Sequence, residues 1–130
     1  MTGEHDLNTL LASMDPVLAP ETFVFVTIPS RQVPMGITAK MMLQEAEGTT
    51  LILTRAEAEA ANLPYTFAAR MVTLNVHSAL DAVGFIARIA TELAAHGMGV
   101  NPVAGYYHDH LFIPEDRADD AMRILRAFSA

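Results

Sequence analysis

The chain has no cysteine among its 130 residues. That excludes a disulfide framework, a thiolate metal site and a cysteine nucleophile. Positive charge is scarce as well: eight Lys and Arg stand against fifteen Asp and Glu, for a formal net charge of −7. The eight are scattered, with no basic run and no interleaved aromatics. The electrostatic footprint of a nucleic-acid binder is therefore missing, and anionic phosphate backbones and lipid surfaces are repelled. No window reaches the ~18 consecutive apolar residues that a membrane helix requires. The opening Met1-Thr2-Gly3-Glu4-His5-Asp6 is acidic and polar, unlike the basic start of a signal peptide, so a cytoplasmic protein is expected. Neither G-x-S-x-G nor a Gly-rich phosphate loop occurs.

What the chain does have is apolar residues, 52% of the total. That suffices for one ordinary domain, or for two very small ones sharing a core. Leu7, Leu10, Leu11 and Met14 recur at helical spacing and predict a short helix ending before Asp15-Pro16. Thr22 to Ile28 is β-branched and aromatic on both faces, as in a central strand. Pro29 to Ile37 reads as a loop, and Lys40 to Glu45 pairs with Thr49 to Leu53 about a turn at Glu47-Gly48. Thr54-Arg55-Ala56-Glu57 matches a capping box and opens a short helix that stops by Asn62-Leu63-Pro64. From Met71 to His77 the chain alternates: Val72, Leu74 and Val76 face one way, Thr73, Asn75 and His77 the other. Ser78-Ala79-Leu80-Asp81 matches a second capping box, launching the longest helix, which ends at His96-Gly97. A strand near Met98 to Ala104, a turn near Gly105, a strand from His110 to Ile113 and a helix after Pro114 complete the chain.

An internal repeat runs through this order. Leu51-Ile52-Leu53, followed by a helix with Ala58 and Ala61, recurs sixty positions later as Leu111-Phe112-Ile113 with Ala118 and Ala121. Two α-β-β-α runs flank the strand at Met71 to His77, and these are the parts of a ferredoxin-like sheet.

Asp81-Ala82-Val83-Gly84 stands between a strand and a helix, and Gly97 follows thirteen residues after Gly84, leading into Met98-Gly99-Val100. This resembles the ACT-domain pattern of a strand, an Asp-x-Pro-Gly turn, a helix ending near His-Gly, and an apolar strand. Val83 departs from it where Pro is usual. V-H-S-A-L-D-A-V-G and N-P-V-A-G-Y-Y-H-D-H-L-F-I-P resemble short, stand-alone bacterial ACT proteins of unknown function. These are similar to the tandem ACT modules of aspartate kinases and of the CASTOR arginine sensors. The resemblance implies an α+β fold of tandem ACT-like halves, residues 1–66 and 67–130, with antiparallel sheets covered by helices. It also implies a regulatory module that binds a small ligand, an amino acid in the first place, and acts as a homodimer without catalysis.

The site expected from these readings has two segments. One is the turn with His77, Ser78, Leu80, Asp81, Ala82, Val83 and Gly84; the other holds Asn101, Val103, Ala104, Tyr106, His108 and Asp109. A helix N-terminus near Ser78 to Val83 offers N–H groups to a carboxylate, and Gly84 lets a ligand or a facing strand approach the backbone. Each residue also has a plainer reading. Ser78 and Asp81 serve as capping partners, and Gly84 serves close packing. Phe85, on the stripe of Asp81, Arg88 and Glu92, is expected to contact the other half or a second subunit. His108 and His110 share a face and could ligate a transition metal, but no third ligand stands at a recognisable spacing, so neither metal nor cofactor is expected. His77 beside Ser78 invites a nucleophile reading, but adjacent residues at a strand end point apart, and serine catalysis also needs an oriented acid and an oxyanion site. A ligand-free dimerisation module or regulatory subunit is the alternative, with a His-metal enzyme behind it.

Overall fold

Asp6 precedes the first helix. Its carboxylate accepts from Thr9 N, 2.9 Å, and caps α1 (Leu7–Ser13), whose Leu10 is buried. The computed structural model describes residues 3–29 and 32–129; Ser30 and Arg31, in the loop expected from Pro29 to Ile37, lie outside them. Contacts divide the chain into two compact units, Met1–Pro20 with Arg70–Ala130, and Glu21–Ala69. Both boundaries fall inside strands, β1 (Pro16–Ile28) and β4 (Thr66–Leu74).

In the 21–69 unit, β2 (Met41–Gln44) and β3 (Thr49–Thr54) form the expected hairpin, and the strand order is β2-β3-β1-β4. Val24, Val26, Ile28, Leu51, Leu53 and Ala58 make its core. Thr54 caps α2 (Arg55–Ala60) by accepting from Glu57 N. The Glu57 carboxylate reaches back to the Thr54 hydroxyl, whose Oγ1 donates to Glu57 Oε1, 3.3 Å, rather than to Thr54 N, and its Oε2 accepts from Thr38 N, 2.9 Å, tying the loop before β2 to the helix. Among the described residues no helix stands between β1 and β2.

The second unit does have that helix. β4 leads to α3 (Phe85–Ala95), then to β5 (Asn101–Ala104), β6 (Asp109–Pro114), a 3-10 turn at Glu115–Arg117 and α4 (Ala118–Arg126). The Pro16–Pro20 part of β1 completes the order β1-β4-β6-β5. Within this unit the guanidinium of Arg70 donates from Nε and Nη2 to Ala19 O, 3.2 and 2.7 Å. Val72, Leu74, Leu111 and Ile113 from the sheet meet Ile89 and Leu93 of α3, Leu125 of α4 and Leu10 of α1. β1 begins six residues earlier than its apolar run, since Pro16 and Pro20 mask a strand that side chains otherwise support. β4 stops at Leu74 because Val76 N folds back to Leu74 O, 2.7 Å, and leaves the ladder.

The sixty-residue repeat holds down to single bonds. Met41↔Ile52 through Gln44↔Thr49 is matched by Asn101↔Phe112 through Ala104↔Asp109. Glu45 N donates to Gly48 O and Gly105 N to His108 O, each at 2.9 Å. β3 and β6 share one burial pattern along their six residues, with the last apolar triplet buried in both. The α+β, ferredoxin-like organisation expected from sequence is present, and among the described residues only the second unit has the helix after its first strand.

Candidate functional site

Ten residues separate β4 from α3, and glycine decides where the helix starts. Gly84 has φ +91°, in the left-handed region where an L side chain is strained, so the helical conformation cannot extend upstream of it. The Ser78-to-Asp81 capping box is therefore not formed. Ser78 N instead donates to Val76 O and Ala82 N to Ala79 O, each at 3.0 Å. Both presumed capping side chains have other partners. Ser78 Oγ donates to Asp109 Oδ2, 3.1 Å, and Asp81 Oδ1 lies 2.8 Å from His5 Nε2.

This later start also re-phases the helix. Phe85, Ile89 and Leu93 form its buried stripe, and Phe85 is 3% exposed. The expectation of Phe85 as a surface contact for the other half or a second subunit is thus corrected: it sits in the core of its own unit. Asp81 lies upstream of the helix, in the turn.

The turn, α3 and the second hairpin enclose a cavity of about 210 Å³. Ser78, Ala79, Leu80, Ala82 and Gly84 line it from the turn; Phe85, Ile86 and Ala87 from the first turn of α3; Ala104 and Asp109 from β5 and β6. Glycine at the cap brings no side-chain acceptor to the first N–H groups of α3. These groups carry the partial positive charge of the helix end. Asp109, 8% exposed, is the charged residue of the lining among the described residues. Only Thr49, Ser78 and Asp109 are buried polar residues among those described, and two of the three line this one cavity. Burying such groups is unfavourable unless they are bonded, and here they bond to each other. The cavity is thus bipolar, with the first turn of α3, the positive end of that helix, at one wall and a carboxylate at the other.

The remaining residues of the expected site lie elsewhere. Val83 is 85% exposed, and Tyr106 is exposed with its ring edge-on to Tyr107, 5.0 Å between centroids. The His77 ring is 5.4 Å from that of Tyr107. Asn101 and Val103 pair with Phe112 and His110, so strand alternation sets them on the face opposite Ala104 and Asp109. His108 precedes β6 and contributes its carbonyl to the turn. His110 Nδ1 lies 2.9 Å from Thr73 Oγ1. Among the described residues no three His, Asp or Glu are gathered as a metal-binding group. Ala79, Phe85, Ile86 and Ala87 were not foreseen; taking Gly84 as the cap residue would have found the last three.

A larger hollow of about 630 Å³ lies between the start of β1 and α4, lined by Pro16, Val17, Leu18, Asp119, Met122, Arg123 and Arg126. It is more open, and among the described residues no buried polar group faces it. Arg123 donates to Asp120, 2.7 Å, within its own helix. The smaller cavity is the one lined by buried polar side chains, Ser78 and Asp109.

Two models described as ACT domain match the chain, over residues 2–70 and 67–127. Among solved structures, a protein of unknown function from Vibrio cholerae, described as a possible transport protein, shares 37% identity. The match covers 95% of this chain and 96% of that one, with a TM-score of 0.84. The ligand-free regulatory subunit of aspartate kinase from Thermus thermophilus shares 12% identity at TM-score 0.66, covering 90% and 97% of the two chains. A protein from Agrobacterium tumefaciens shares 11% at TM-score 0.75, covering 89% of each. Among curated proteins none matches.

Proposed function

The chain belongs to the ACT-domain family, and from that premise we propose that it is a regulatory module binding a small zwitterion, an amino acid in the first place, without transforming it. The observation that carries this reading is the bipolar cavity. An α-carboxylate at the first N–H groups of α3 meets the positive end of the helix. An α-ammonium, one carbon away, meets Asp109. At about 210 Å³ the cavity lies below the ~300–1,000 Å³ of drug-sized ligand sites, which favours a small metabolite. Ser78, Leu80, Ala82, Gly84, Ala104 and Asp109 form the site in this reading, with Ala79 and Phe85 to Ala87 added.

Ser78 is bonded to a carboxylate, and among the described residues no imidazole or amine lines the cavity to accept its proton, an arrangement suited to binding rather than nucleophilic attack. Of the two halves, 1–66 and 67–130, the second holds the site, since the helix whose N-terminus forms one wall has no counterpart between β1 and β2 among the described residues. The acidic, cysteine-free composition supports a cytoplasmic location.

Thermal unfolding with each of the twenty amino acids tests this reading. A ligand at ~100 times its dissociation constant adds about 2.7 kcal/mol, and Asp109→Asn is expected to abolish most of that gain. Absence of stabilisation by any of the twenty, or an undiminished gain in the variant, would count against the assigned site.

Self-association is a second reading, favoured by one observation. β2 is an edge strand with Met42 and Leu43 exposed, whereas Pro102 blunts the equivalent edge strand β5. A homodimer through β2 is compatible with ligand binding and does not require it.

A further inference from the structure

We propose that the segment Gly3–His5 is a strap that positions the wall of the cavity, so that fixing or releasing the strap changes the affinity of the site. This rests on the binding reading above. Glu4 runs parallel to Ser78: its N–H donates to His77 O and its carbonyl accepts from Ala79 N, each at 2.9 Å. Gly3, at φ +108°, lies flat on the turn, where a Cβ would stand 2.8 Å from Ala79 N and 3.0 Å from Ala79 Cα. His5 adds a fastening at the far end of the turn through Asp81. The strap thus grips the turn along its backbone, while Ser78, Ala79, Leu80 and Ala82 of the same turn line the cavity.

Inside the turn the bonds Ser78 N to Val76 O and Ala82 N to Ala79 O are short-range, while at its first residue Asn75 N donates to Asp15 O, 3.1 Å. Ser78 Oγ anchors it to β6, and the strap anchors the backbone on either side of Ser78. Asp6 follows directly as the cap of α1, so the strap leads from a helix seated on the core. If occupancy of the cavity requires an ordered turn, then strap docking and ligand binding favour each other reciprocally.

Two full-length variants probe this. Gly3→Val places a side chain against Ala79, and Glu4→Pro removes the N–H given to His77; Glu4→Ala, which keeps both backbone bonds, is the control. Amide exchange at Ala79 is expected to accelerate about tenfold in the two variants and not in the control, with Ile89 and Leu111 unchanged. Unchanged exchange at Ala79 in both, or equal acceleration everywhere, overturns the strap.

The same twenty amino acids then serve as probes. For one that stabilises the wild type, the variants' dissociation constant rises about fivefold or more. Wild-type affinity alongside accelerated exchange overturns the positioning role. If no amino acid stabilises the wild type, the binding reading has failed, the positioning claim falls with it, and exchange still decides whether the strap holds the turn.

Discussion

Asp6 illustrates how much one side chain settles at the N-terminal end. Its carboxylate accepts from Thr9 Oγ1, 2.8 Å, and from Thr9 N, 2.9 Å, and these bonds hold its pKa below the ordinary carboxylate value. A lowered folded-state pKa means that the stabilisation is complete above the unfolded value and is lost as pH falls through the folded one. The stability difference between wild type and Asp6→Asn, measured by urea unfolding across acid pH, is therefore expected to shrink on acidification. A difference that grows as pH falls would contradict the cap's role. Asp109 differs in kind, because its Ser78 partner is 31 residues away and only folding brings the two together. Nothing in the spacing of Ser78 and Asp109 could announce that bond, although each residue was expected in the site separately.

At the scale of elements, the hairpins were legible and the start of α3 was not. β2 with β3 and β5 with β6 carry turn signals and an apolar triplet repeated sixty residues apart, visible as pattern in the sequence, and the structure adds an identical register. Ser78-Ala79-Leu80-Asp81 has the residues of a capping box, but the φ of Gly84 moves the helix start downstream, and a dihedral angle is not written in residue types. Phase follows from the start, so Phe85 turned from an expected surface residue into core. Likewise Asn101 and Val103 fall on the far face from Ala104 and Asp109 once the register of β5 is known. Phe85→Ala is expected to destabilise by about 3–5 kcal/mol, while Val83→Ala stays within about 0.5 kcal/mol. Chemical denaturation separates the two; comparable effects would mean that the helix begins where the capping box suggests.

For the whole molecule, the sequence pattern pointed to two related halves, and the units share strand order while differing in what each can do. One keeps the helix whose N-terminus opens on a polar cavity; the other has an exposed apolar edge at β2. Two-fold antiparallel pairing of β2 strands would set Lys40 of one copy opposite Glu45 of the other, across Met42 and Leu43. Light scattering is expected to report a dimer for the wild type and a monomer for Leu43→Glu; equal masses would remove this edge as the interface.

The central claim concerns the other unit, and amide chemical shifts test it most directly. Titration of ¹⁵N-labelled protein with the amino acid that stabilises it best should move the amides of Ser78, Phe85, Ile86 and Ala87 together, along one saturable curve. Shifts confined to the hollow between β1 and α4, or no saturable shift at any of these four amides, would contradict the assignment of the cavity at α3.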